Sequence, residues 1–121
     1  MKTALWIAQT LLALAFLAAG SMKLFAFDKM TAQMPDMAGQ HGLFIFIGLC
    51  EIAGAIGLIL PILTGIYPLL TAWAAAGLAT IMVLAAGFHV NRGEFSHLPP
   101  IILLFLLAAF VVWGRGFRKA A

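Results

Sequence analysis

Four apolar runs, each roughly twenty residues long and separated by short polar stretches, constrain this chain more than any other feature. Residues 4–27, 43–63, 66–89 and 99–117 can each cross the roughly 30 Å hydrocarbon core as a helix rising about 1.5 Å per residue. Lipid offers no hydrogen bonds, so a spanning segment must satisfy its own backbone, as a helix or within a closed barrel. The expected fold is all-α: a polytopic membrane protein built as a four-transmembrane-helix bundle.

Composition supports one such domain over residues 1–121. Hydrophobic residues make up 64% of the chain and charged residues 9%, against about 25% charged in soluble domains. The mean hydropathy is +1.11. A net charge of +3 would suggest nucleic acid in a soluble chain, but here the basic residues flank the apolar runs. The bilayer is the expected partner, and nucleic acid is not. Cys50 is the single cysteine, which excludes an intrachain disulfide or a CxxC redox pair. Lys2 with the apolar stretch behind it also fits a signal peptide, but the run outlasts a typical h-region, so a first span is expected.

Four spans place both termini on one side. That side carries Lys2, Arg115, Arg118 and Lys119, while the other carries Lys29 and Arg92, with Lys23 near the border. The positive-inside bias predicts cytoplasmic N and C termini.

Within the second run stands Glu51. A charge at membrane depth costs roughly 2.5 to 3.5 kcal/mol on insertion scales, so it must find a partner or a wet cavity. Alternating steps of four and three residues define an inward stripe on each of the first three runs. The first reads Gln9, Ala13, Phe16, Gly20, Lys23 and Phe27. The second reads Phe44, Gly48, Glu51, Ala55, Leu58 and Ile62, with Gly54 and Gly57 close by. The third reads Thr71, Ala75, Leu78, Met82, Ala85 and His89, and the next step reaches Arg92. The glycines Gly20, Gly48, Gly54 and Gly57 are expected to let helix backbones approach closely around the carboxylate. Lys23 is its expected counter-ion, with His89 and Arg92 completing an outer-side cluster. Such a cluster could equally serve only to fix helix register. The fourth run has no buried polar group and is expected to face lipid, with Pro99 and Pro100 in its first turn and Ser96 as a cap. Pro61, Gly65 and Pro68 are read as a turn.

Other chemistry finds little support. Met30, Met34, Met37 and His41 could share a side and bind a soft metal, but Pro35 interrupts the helix that would align them. His89, His97 and Glu94 lack a zinc spacing such as HExxH. No metal site is expected, nor is hydrolytic chemistry.

Ala-Ala-Gly-Ser-Met-Lys-Leu-Phe ends the first run, Cys-Glu-Ile-Ala-Gly-Ala-Ile-Gly-Leu-Ile-Leu-Pro lies in the second, and Phe-His-Val-Asn-Arg-Gly-Glu follows the third. Together these segments resemble the DoxX-like membrane proteins. The resemblance implies a four-helix bundle with cytoplasmic termini in a bacterial inner membrane. It also implies a link to membrane redox systems such as a thiosulfate:quinone oxidoreductase, or, among distant relatives, to membrane chaperones and cargo receptors. The chain has no cysteine pair, so a redox role would run through a bound quinone or a partner protein. The leading expectation is a non-catalytic binding or assembly subunit that docks a membrane or extracytoplasmic protein partner, or a small polar headgroup, at Lys23, Glu51, His89 and Arg92; a homo-oligomer is a separate partner reading. A quinone-binding subunit is the alternative, and proton-coupled transport is a third reading, disfavoured by the little room four helices leave for alternating access.

Overall fold

In a computed structural model, residues 2–32 and 39–117 are described, and they are helical apart from short connections. Helix α1 covers Lys2–Phe25, α2 Phe27–Thr31, α3 His41–Thr64, α4 Leu69–Asn91 and α5 Leu98–Val112, which runs on through a π-helical turn, Trp113–Phe117. Four of these segments are long and apolar enough to cross a membrane. The chain is a multi-pass integral membrane protein with a helix bundle as its body.

The helices form a four-cornered ring. α1 packs on α3 and α5, α4 packs on the same two, and α1 and α4 stand at opposite corners. One end of the bundle carries the α1–α3 and α4–α5 connections and is termed the loop end. The other carries the start of α1 and the close of the last span, and is termed the terminal end.

The inward stripes form the core. Gln9, Ala13, Phe16 and Gly20 are buried on α1, Phe44, Gly48, Glu51, Ala55 and Leu58 on α3, and Thr71, Ala75, Leu78 and Met82 on α4. Leu14, Leu63, Trp73 and Leu84 point outward and are largely exposed, as side chains facing lipid should be. The fourth span buries least, in keeping with its lipid-facing expectation.

Pro61 departs from expectation. It sits inside α3, and the turn begins only at Gly65, whose φ of 73° lies in the left-handed region open to glycine. A proline within a helix cannot donate to the carbonyl four residues earlier, which is Gly57. The Thr71 hydroxyl of α4 donates to Gly57 O instead, at 3.0 Å. The amide of Gln9 on α1 donates to the next carbonyl, Leu58 O, at 2.6 Å. α4 therefore supplies the hydrogen bond that Pro61 withholds, which accounts for Thr71 on its inward stripe, and α1 adds one to the carbonyl beside it. In lipid no water could take their place.

Other boundaries shift by a few residues. The first helix breaks at Ala26 before α2, and α4 starts at Leu69. Pro99 lies in the first turn of α5, but no side chain caps that helix, so the capping role expected of Ser96 is absent.

Candidate functional site at the loop end

Lys23 and Glu51 meet across α1 and α3. Nζ lies 2.8 Å from Oε1, with the side chains 18% and 3% exposed. The meeting follows from helix direction. Side chains lean toward the N-terminus of their own helix, and α1 and α3 run antiparallel. Lys23, near the end of α1, therefore leans down into the bundle, while Glu51 leans up toward the loop end. At an effective dielectric of about 20, two charges 2.8 Å apart attract by about 6 kcal/mol, similar to the insertion cost of the two ions together. The pair offsets its own burial and adds little net stability. Oε1 is fully buried and receives no properly directed hydrogen bond. The contact is one of charge, and the carboxylate keeps capacity for a further donor.

Glycine makes this proximity possible. A Cβ added at Gly20 would stand 2.7 Å from Gly48 O, and one at Gly48 would stand 2.9 Å from Gly20 O and 3.1 Å from Lys23 Cβ. The two backbones touch beside the ion pair. Gly54 and Gly57 serve a different seam: their missing Cβ atoms face Leu78 and Ala74 of α4.

His89 and Arg92 lie at the same end, and each makes a hydrogen bond to Glu94. His89 Nδ1 is 2.9 Å from Glu94 Oε1, and Arg92 Nε donates to the same oxygen at 3.1 Å. Lys23 thus pairs with Glu51, while His89 and Arg92 meet on Glu94, a residue that the expected four-residue cluster did not include. The reason is local: Gly93, at φ 73°, reverses the chain after α4 and brings Glu94 back, where its N–H donates to His89 O at 2.9 Å. The hydrogen bond from His89 and the nearby Arg92 charge hold the Glu94 carboxyl below the usual carboxylate range, against a smaller opposing effect of burial. The His89 ring stacks on His97, with centroids 4.5 Å apart, and Arg92 lies over the Phe88 ring at 5.3 Å.

Beyond Lys23 the rings of Phe27, Phe44 and His41 form a small aromatic group, with Phe27 stacked on His41 at 4.2 Å and tilted against Phe44 at 5.6 Å. An open cleft of about 380 Å³ lies alongside, lined by residues 24–29 and His41. Met34 and Met37, considered as soft-metal ligands, lie outside the described residues, as does the side chain of Met30. Among the described residues no three His, Cys, Asp or Glu side chains converge as metal ligands.

One polar group escaped the sequence reading. At the terminal end Arg115 Nε donates to Gln9 Oε1 at 2.8 Å, and its guanidinium carbon lies 5.6 Å from the centroid of the Trp6 ring. The signal was present in the spacing. Leu104, Ala108, Val111 and Arg115 continue the four and three step, but the fourth run holds no polar residue earlier that would draw attention to its inward face.

No curated protein and no solved structure matches the chain. A family model does, over residues 7–111, a stretch that includes Lys23, Glu51, His89 and Arg92 and nearly all of the four spans. With that match, the chain belongs to the DoxX-like family.

Proposed function

We propose that this protein is a non-catalytic binding subunit of the bacterial inner membrane. Its termini are cytoplasmic, and its loop end docks a polar group of a membrane or extracytoplasmic protein partner. The observation that carries this reading is the state of Glu51: a carboxylate 3% exposed, paired in charge with Lys23, and with Oε1 lacking a directed hydrogen bond. A buried acceptor with unused capacity costs free energy unless a donor reaches it. Lys23 is the more exposed partner and forms the way in, next to the cleft lined by residues 24–29. His89, Arg92 and Glu94 form the rim of the same end. The surplus of basic residues at the terminal end supports the orientation.

The test is affinity purification of the full chain from its native membrane, beside Glu51→Gln and Lys23→Met. A protein recovered in stoichiometric amount with the wild type, and lost from both variants while they remain helical, is the expected result. An identical set of recovered proteins for all three would overturn it.

A quinone-binding reading uses the same end. The Phe27, Phe44 and His41 rings beside the cleft support it, because a quinone ring stacks on such surfaces. Solvent extraction of the purified protein separates the two: quinone present in the wild type and absent from Glu51→Gln favours this second reading over a protein partner.

A further inference from the structure

Among the described residues the acidic side chains, Asp28, Glu51 and Glu94, belong to the loop end or the half of the bundle next to it. Among the described residues the terminal end has no side-chain anion. Yet it holds a cation turned inward. Arg115 Nε donates to Gln9 Oε1, and Gln9 itself is 0% exposed and anchored to Leu58 O. The assignment of the Gln9 amide is fixed from both sides, since the guanidinium requires an acceptor and the carbonyl a donor. Trp6 covers the guanidinium at cation–π distance. The backbone around Arg115 is locked: a Cβ at Gly114 would run into Leu5, and one at Gly116 would stand 3.1 Å from Ala72 Cβ.

An arginine near a helix end ordinarily extends its head group to water. Here the head group is held by two α1 side chains instead, and Nη2 is fully buried without a hydrogen-bond partner. Arg115 carries a full positive charge that no carboxylate of the described residues neutralises. A guanidinium held in place by a glutamine and an indole, with its Nε already given to Gln9, keeps its positive charge and its outer N–H groups for an oxyanion. Gln9 lies about 10 Å along α1 from Lys2, and Arg115 is half-buried, which keeps the guanidinium within reach of the membrane–water boundary.

We propose that Arg115, held by Gln9 and Trp6 at the terminal end of the bundle, is an anion site for a phosphate group. The two sources of that chemistry are a phospholipid headgroup and free phosphate.

Native mass spectrometry of the full chain tests the site. The protein in detergent is offered phosphatidylglycerol or phosphatidylcholine, and retained lipid is measured for the wild type, Arg115→Gln, Arg115→Lys and Lys2→Gln. The wild type is expected to retain phosphatidylglycerol in preference. Arg115→Gln is expected to lower that retention about tenfold, as loss of a charge-assisted hydrogen bond does. Arg115→Lys is expected to lower it about threefold, because a point charge lacks the fork, and Lys2→Gln to leave it nearly unchanged. If Arg115→Gln fails to give helical protein by circular dichroism, the Arg115→Lys comparison decides. Inorganic phosphate that displaces the lipid assigns the site to free anion, and retention in its presence assigns it to the headgroup. A wild type without preference, or a preference that survives at both Arg115 variants or falls equally with Lys2→Gln, overturns the proposal.

Discussion

Gly20 and Gly48 stand so close across α1 and α3 that a Cβ on either would come within 2.9 Å of the other's carbonyl oxygen. Backbone opposes backbone there, so no flexible side chain can yield. Gly20→Ala or Gly48→Ala forces the two helices apart and is expected to destabilise the bundle by about 1 to 3 kcal/mol, the usual range for overpacking. Gly77→Ala and Gly87→Ala, where a Cβ meets nothing within 4 Å, are the controls and are expected to be neutral or slightly stabilising. Unfolding in mixed detergent micelles, followed by circular dichroism, gives the comparison. Equal stability of all four variants would remove close backbone packing from the account.

The ion pair beside those glycines has its own signature. Because Lys23 and Glu51 roughly offset their own burial, removing both should cost little, while removing Lys23 alone strands a buried carboxylate. Lys23→Met is expected to lose about 3 kcal/mol or more, and the double variant Lys23→Met with Glu51→Gln to recover most of it. The same unfolding assay reads the cycle. Additive losses would mean that the 2.8 Å contact carries no coupling.

Pro61 predicts a second cycle on the opposite seam of α3. The Thr71 hydroxyl donates to the Gly57 carbonyl that Pro61 leaves without its usual donor. Thr71→Val should cost about 1 kcal/mol in the wild type, typical of interhelical hydrogen bonds in membranes. In the Pro61→Ala background a restored N–H serves Gly57, and the cost should fall toward zero. An unchanged cost would show that the hydroxyl acts through packing alone.

What the sequence discloses and what it conceals divide along physical lines. Periodicity is a property of single helices, so the inward stripes of α1, α3 and α4 and the Lys23–Glu51 pairing are readable from spacing and direction. Long-range satisfaction of one carbonyl is not. Pro61 reads as a turn breaker until Thr71 is found supplying the donor that Gly57 O lacks, with Gln9 adding a bond to the neighbouring Leu58 O. The meeting of His89 and Arg92 on Glu94 depends on the left-handed Gly93, a single backbone angle that returns Glu94 to the pair. Arg115 reads as a topology-setting surface charge, and only its placement beside Gln9 shows that it turns inward. Family membership narrows the architecture but leaves open which group Glu51 receives.

The loop-end turn offers a test by pH. His89 and Arg92 hold the Glu94 carboxyl below its ordinary value of 4.5, so the folded turn favours the ionised form. The sign follows: the stabilisation is full above the ordinary glutamate range and is lost as pH falls through the lower value of the folded turn. Above that window both bonds to Oε1 persist, and the turn holds Glu94 N–H on His89 O. Below it the carboxyl is neutral, both charge-assisted bonds weaken, and the segment from Arg92 to His97 should exchange its amide hydrogens faster. Hydrogen exchange read by mass spectrometry between pH 3 and 6, corrected for intrinsic rates, is expected to show loss of protection in that segment while α1 and α3 keep theirs. Glu94→Gln should show reduced protection across the whole range and no such step. A step of equal size in Glu94→Gln would assign the titration to another group and detach the turn from the Glu94 carboxylate.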